Sequence, residues 1–221
     1  MATYLVTGAN RGIGLEYCRQ LTARGDQAIA VCRNSVPELD QLGIQIETNV
    51  DITSEESVQA LADRLTDTPI DVLINNAVIA ERNNLNDLDF DSIRRQFEVN
   101  AIGTLRVTNA LLPRLNQNAK IIIMTSRMGS IDDNTSGGTY GYRMSKVAVS
   151  MAGKSLAVDL KPKGISVAIL HPGLVQTRMT NFNKNGITPQ TSVQGLLARI
   201  DHLNLDQTGT FWHANGEILP W

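Results

Sequence analysis

Tyr142 and Lys146 stand four residues apart in a stretch patterned as a helix. That spacing puts both side chains on one helix face. A phenol that gives and takes a proton near neutrality must lose about three units from its ordinary pKa near 10, worth about 4 kcal/mol. A lysine cation about 4 Å away supplies on the order of 4 kcal/mol at an effective dielectric near 20. The pair therefore has about the strength that acid–base work by a tyrosine needs, although chance also produces such spacings. A second group of residues suits an anion. The run Thr7-Gly8-Ala9-Asn10-Arg11-Gly12-Ile13-Gly14 follows the apolar Thr3-Tyr4-Leu5-Val6 and opens an amphipathic segment. Glycines between a strand and a helix let the backbone approach a pyrophosphate, with the helix N-terminus facing its charge. A tight turn that needs glycine for its dihedrals alone is the plain alternative.

Ser126 follows the apolar run Ile121-Ile122-Ile123-Met124-Thr125, and the C-terminal ends of strands are where open α/β sheets hold ligands. Taken alone, it reads as a hydroxyl bonded to a local turn. Asn100 falls inside a helical pattern over 89–115. Asparagine is a poor interior helix residue, so a polar task is one reading and an exposed or locally bonded side chain is the other.

These residues must be positioned by alternating elements. Apolar runs rich in Val and Ile predict strands near 3–7, 27–32, 44–48, 70–75, 119–124, 164–170 and 209–212, as parallel strands covered on both faces require. Helical patterns fall near 12–24, 54–66, 89–115, 140–161 and 190–203, with Gly25 as a stop and Ser54 and Thr188 as starts. Such alternation predicts a three-layer, doubly wound parallel α/β sheet of about seven strands. One domain over residues 1–221 is expected, with loops at 132–138 and 181–186.

Composition narrows the function. The net charge is −2 and no Lys/Arg cluster stands out, which argues against nucleic acid or an acidic membrane surface as partner. No apolar run approaches the ~20 residues of a membrane span, and the opening residues lack a leader pattern, so a cytoplasmic protein is expected. Cys18 and Cys32 do not form a C-x-x-C pair and read as buried free thiols. His171, His202 and His213 lack metal-ligand spacing, so no metal is expected. A P-loop enzyme is excluded because no Lys-Ser/Thr follows the glycines.

Taken together, the motifs place the chain in one family. The T-G-x-x-x-G-x-G turn, Asp51, Asn75-Asn76-Ala77, Asn100, Ser126, Tyr142 with Lys146, and Pro172-Gly173 with Thr177 run in the order found in the short-chain dehydrogenases/reductases, which this chain resembles over nearly its full length. Ser-Arg-Met-Gly-Ser at 126–130, Tyr-Gly-Tyr-Arg-Met-Ser-Lys at 140–146 and the ending Gly216-Glu217-Ile218-Leu219-Pro220-Trp221 look like the C-factor and Sniffer-like carbonyl reductase branch. The resemblance implies hydride transfer between a nicotinamide dinucleotide and a small carbonyl or alcohol. In it, Tyr142 is the acid–base group, Lys146 lowers its pKa and bonds the nicotinamide ribose, Ser126 bonds the substrate oxygen, and Asn100 holds a water towards Lys146. The turn residues Gly8, Asn10, Arg11, Gly12, Ile13 and Gly14 hold the pyrophosphate region. Asp51, with Ile52, meets the adenine, and Asn76 and Ala77 line the cleft. The segment Pro172, Gly173, Val175 and Thr177 cradles the nicotinamide end. After the second strand, Cys32-Arg33-Asn34 lacks the acid that binds a ribose 2′-hydroxyl, and Arg33 with Arg11 implies NADP(H) over NAD(H). Two departures stand out. Val78 replaces the usual glycine after Asn75-Asn76-Ala77, which should shift the local path, and only about ten residues separate Thr177 from the next helix start, short for a substrate lid. Relatives imply a homodimer or homotetramer through helices 89–115 and 140–161, with Gly153 allowing close packing there or against an internal neighbour. A non-catalytic, dinucleotide-binding signalling protein of the C-factor type is the alternative, disfavoured by the intact Asn100, Ser126, Tyr142 and Lys146.

Overall fold

The computed structural model describes residues 1–221. Its elements follow in chain order: β1 (Thr3–Thr7), α1 (Gly12–Ala23), β2 (Gln27–Val31), the single turn α2 (Pro37–Asp40), β3 (Gln45–Glu47), α3 (Glu55–Arg64), β4 (Ile70–Asn75), α4 (Phe90–Phe97), α5 (Thr104–Leu111), β5 (Leu115–Met124), α6 (Tyr140–Leu160), β6 (Ser166–His171), α7 (Pro189–His202) and β7 (Thr210–His213). The seven strands form one sheet in the order β3-β2-β1-β4-β5-β6-β7. Every neighbouring pair is parallel. The chain leaves β1 towards β2 and returns to β4 on its other side, so the order reverses between β1 and β4. That is where an open α/β sheet offers a crevice.

Alternation along each strand divides the core. Val6, Ile74, Ile122 and Leu170 face α1 and α7, meeting Tyr17, Leu21, Val193 and Leu196. Their neighbours Leu5 and Leu73 face α3 and α5, while Ile121 and Ile169 face α6. Apolar side chains are needed on both sides because both are covered. Helix α6 comes closest to the sheet at Gly153, where a Cβ would stand 2.8 Å from Ile169 Cγ1 and 3.2 Å from Ile123 Cγ1. Gly153 thus serves an internal contact.

The helix signals act as the sequence implies. Gly25, at φ 82°, ends α1 in a Schellman motif, its N–H donating to Thr22 O and that of Asp26 to Leu21 O, both at 3.0 Å. Ser54 caps α3 by accepting from the Ser57 N–H, and Thr188 caps α7 ahead of Pro189. The pattern over 89–115 forms one continuous helical run of changing type, with right-handed helical backbone at each junction. It contains α4, a π-helical turn over Glu98–Gly103 and α5, and it stops at Leu111. Pro113 has no N–H to continue the ladder, so Leu112–Arg114 tightens into a 3₁₀ turn and β5 starts at Leu115, earlier than 119. The two cysteines are free and buried. No helix is long and apolar enough to cross a membrane.

Candidate active site

Between β1 and α1 the glycine turn folds back on itself. Gly8 and Gly12 are left-handed, at φ 66° and 55°, a conformation that costs little only for glycine. A Cβ on Gly14 would lie 2.2 Å from the Gly8 carbonyl oxygen, and one on Gly8 would lie 2.8 Å from Ala77 Cα. The end of β4 is stitched to this turn. Asn76 Nδ2 donates to Thr7 O at 3.0 Å and Gly8 O at 3.3 Å. The backbone N–H groups of Asn76 and Ala77 donate to Thr7 Oγ1 at 3.0 and 3.1 Å. Thr7 is a brace that sequence reasoning left unassigned, and its place directly before the glycine is the only signal it carries. Helix α1 begins without a side-chain cap at Arg11, which leaves its first amide donors to an anion.

A cleft of about 690 Å³ opens over this turn. Gly8, Asn10, Arg11, Gly12 and Ile13 form one side. Arg33, Asp51 and Ile52 form its far end, and Asn76, Ala77, Val78 and Thr177 line the rest. Asn10 Nδ2 donates to Asn34 O at 2.8 Å, tying the turn to the end of β2. Asp51 accepts from the N–H and hydroxyl of Thr53, which hold its carboxyl below the usual range with help from the Arg33 and Arg106 charges. Arg106, not anticipated from sequence, donates to Ile52 O at 2.7 Å and to Glu98 Oε1 at 2.9 Å, so α5 steadies the far end of the cleft. These surroundings fit a dinucleotide: a cradle that Cβ atoms would fill, a free helix start for its phosphates and exposed cations at one end.

Not every assigned residue lines that cleft. Gly14 lies behind Gly8. Pro172 O accepts from Ser192 Oγ at 2.7 Å. Gly173, at φ 86°, turns against Ile187 and against the His213 ring, where a Cβ would stand 3.4 Å from Nε2. Val175 is buried and bridges Ile187. Reciprocal backbone bonds, Gln176 N–H to Ile187 O and Ile187 N–H to Leu174 O, pinch the short segment shut at its base. It lays Arg178 and Met179 along the cleft and leaves Phe182 exposed outside it.

The proton-handling groups gather at the neighbouring strand ends. Ser126, just past β5, accepts from the Met128 N–H at 3.1 Å. Lys146 is 3% exposed. Its Nζ donates to Met124 O at 2.9 Å and lies 5.7 Å from the Tyr142 ring centre. Burial pushes the Tyr142 phenol up to about 12, with Ser126 pulling it part of the way back, and drives Lys146 down to about 7. In the cofactor-free chain the two groups shift in opposite directions, the phenol up and the amine down. Desolvation favours the neutral form of both groups and outweighs their mutual attraction. Asn100 sits in the π-helical turn. Its Nδ2 donates to Ile79 O at 2.9 Å and to Ser145 Oγ at 3.0 Å, while its Oδ1 accepts from the Ile79 N–H at 2.9 Å. Its carbonyl accepts from Thr104 Oγ1 at 3.1 Å. Asn100 thus clamps the segment after β4, and only spare lone pairs on its oxygens remain for a water.

A family model described as short chain dehydrogenase matches residues 2–187. The chain is 43% identical, over all of both chains, to 1-hydroxy-2-glutathionyl-2-methyl-3-butene dehydrogenase of Rhodococcus sp. (strain AD45). It is 44% identical to C-signal of Myxococcus xanthus across 74% of this chain and 100% of that one. Among solved structures it is similar to the carbonyl reductase Sniffer of D. melanogaster, with a TM-score of 0.92 and 30% identity over 100% of both chains. It is also similar to an NADPH-bound carbonyl reductase from chicken fatty liver, with a TM-score of 0.91 and 29% identity over 100% of this chain and 99% of that one.

Burial of Lys146 has a consequence for stability. The folded, cofactor-free protein holds the amine near 7, whereas the unfolded chain holds it near the ordinary lysine value of about 10.4. Between these the unfolded state binds more protons, so stability rises with pH; below both values the cost of burying the cation is present in full. Lys146→Met lacks this dependence. Denaturant unfolding at pH 7 and pH 10 is expected to show the wild type gaining on the variant by up to about 4 kcal/mol. A gap that does not change with pH would show that Lys146 keeps its proton when buried.

Proposed function

Because the chain belongs to the short-chain dehydrogenase/reductase family, we propose that it is an NADP(H)-dependent oxidoreductase, interconverting a small carbonyl compound and its alcohol with Tyr142 as acid and base. The observation that carries this reading is the glycine-turn cleft at the β1/β4 reversal together with Lys146, buried 5.7 Å from the Tyr142 ring centre at the neighbouring strand ends. A bound nicotinamide dinucleotide phosphate supplies or accepts the hydride. Burial keeps Tyr142 protonated, loaded to give its proton to a carbonyl oxygen during reduction; in reverse it takes the alcohol proton. Ser126 donates to the same oxygen and orients it. Lys146 titrates near neutrality, so it can carry a charge as the phenol ionises, offsetting on the order of 4 kcal/mol at close range. Asn100 keeps the Ile79 segment, one wall of the cleft, in place.

Arg11 and Arg33 are exposed on the cleft and no carboxylate occupies positions 32–34, which supports reading a 2′-phosphate. Each charge-assisted hydrogen bond contributes roughly 1.5–3 kcal/mol. The same family reading makes the protein a cytoplasmic homodimer or homotetramer. In support, α6 exposes Met144, Met151 and Val158 at seven-residue intervals, beside exposed Ile102 and Leu105 of the adjacent helix. A purely signalling role has the C-signal similarity behind it, but the four polar groups of the proton site favour turnover.

Tyr142→Phe is expected to abolish turnover and leave cofactor affinity within a few-fold, since it removes a proton and little volume. Assays from pH 6 to 9 should use aldehydes, ketones, quinones and, after the name of the Rhodococcus relative, glutathionyl alcohols. Substantial residual activity would sink the role. Wild type should prefer NADPH to NADH in kcat/KM by about a hundredfold at low salt, and less at high salt. Arg33→Asp should remove most of that preference; equal efficiency in wild type would refute it. Light scattering at micromolar concentration should give a dimer or larger, and Met151→Glu should shift it towards monomer. A wild-type monomer would reject the assembly.

A further inference from the structure

Between Ser126 and Tyr142 the chain makes a long excursion through residues 128–138, and its return is unusual. Gly137, Gly138 and Thr139 are left-handed in succession, at φ 62°, 65° and 50°. Thr139 precedes α6 without giving it a side-chain cap. Within the loop, Asn134 Oδ1 accepts from the Gly137 N–H at 3.1 Å, but Gly138 and Thr139 have no such local tie, and the Cβ of a threonine disfavours the conformation. One side chain collects the oxygens they present. Arg143, next to Tyr142 on α6, donates from Nε to Gly137 O and Gly138 O, both at 3.2 Å. Its Nη2 donates to Ser136 Oγ at 2.8 Å and its Nη1 to Met128 O at 3.4 Å. A planar guanidinium with five fixed donors can span both ends of a loop in this way, and an ammonium cannot. The loop reaches across to the segment after β4, since a Cβ on Gly138 would lie 3.7 Å from Asn84 Oδ1. In the same region the first turn of α6 seats Gly141 against Asn83 and Gln96. The two segments therefore meet beside the first turn of α6, the turn that carries Tyr142.

We propose that Arg143 is a positioning residue that sets substrate fit: its guanidinium clasps residues 128–138 into one wall of the substrate entrance. The loop's two ends carry Ser126 and Tyr142, so the same clasp holds the entrance in register with the reacting oxygen. This rests on the oxidoreductase reading above. Arg143 itself bonds no residue of the cleft; the held segment meets the proton site only where Gly129 packs on the Lys146 backbone, inside the 3₁₀ turn after Ser126, so loss of the clasp at 136–138 should act on the carbonyl substrate more than on the cofactor.

The test compares wild type with Arg143→Met, Arg143→Lys and Ser136→Ala, which removes only the shortest bond. In Arg143→Met, amides of residues 130–139 are expected to exchange hydrogen at least tenfold faster, while those of the glycine turn do not change. KM for a bulky carbonyl should rise tenfold or more, kcat should stay within threefold, and NADPH affinity should stay within twofold. Arg143→Lys should recover little, and Ser136→Ala should shift KM the same way by a few-fold. Unchanged loop exchange in Arg143→Met would overturn the proposal. So would a parallel fall in kcat, cofactor affinity and thermal stability, which marks a merely structural role. A wild type inert to every carbonyl would defeat the oxidoreductase reading, whereas the exchange experiment would still judge the clasp.

Discussion

At Gly14 the turn after β1 bends back until a side chain would stand 2.2 Å from the Gly8 carbonyl oxygen, and at Gly8 it presses on Ala77 at 2.8 Å. Backbone against backbone at such distances admits glycine only. Because the turn lies this flat, Thr7 and Asn76 can exchange hydrogen bonds between β1 and β4. Those bonds hold the reversal of strand order open as a cleft. The cleft's cations, its adenine end and the α1 N-terminus keep their relation to one another only while this contact is made. A methyl group at Gly14 would part the turn from the strand, and the other residues of the site would have nothing to be arranged around.

The second organising force is desolvation. Tyr142 and Lys146 share a helix face, and charge attraction alone would make an ion pair of them. Burial instead favours a neutral phenol and an amine that loses its proton near pH 7. His171, ending β6 against the His213 ring at 5.0 Å, is likewise held neutral, first by burial and then by the basic groups His213, Arg127 and Lys146 around it. The proton site is thus a dry pocket in which charge is costly until a partner supplies compensation. A buried acid suits delivery of a proton to an oxygen that gains electrons, because the charge it leaves behind appears next to a lysine able to take a proton.

Around this rigid floor, the walls are held by polar side chains that act on backbone. Asn100 grips both groups of the Ile79 peptide, Arg106 grips Ile52, and Arg143 grips the loop over Ser126. Each sits on a helix packed against the sheet and reaches a segment with no regular structure of its own. Loops whose carbonyls would otherwise need water gain a fixed shape in this way. The π-helical turn at Glu98–Gly103 is part of the same device, since it directs Asn100 out of the helical ladder and towards Ile79.

Local chemistry was legible in the sequence. The glycine spacing, the four-residue step from Tyr142 to Lys146, the Val/Ile runs and the caps at Gly25, Ser54 and Thr188 depend on neighbours a few residues away, so the parallel sheet and the glycine side of the cleft could be read directly, while Asp51, Ile52, Asn76 and Ala77 came through the family resemblance. Pro113 was visible too, yet the length of the helical pattern around it masked the break. Other features were decided only by the folded chain. Gly153 proved to be a contact with Ile169, Thr7 a brace to β4, and Asn100 a clamp on Ile79. The direction in which Tyr142 and Lys146 shift could not be read from spacing either. Spacing along a helix determines which groups are near each other, whereas the charge they carry depends on how much water the rest of the molecule removes. That quantity is set by residues brought together from across the chain.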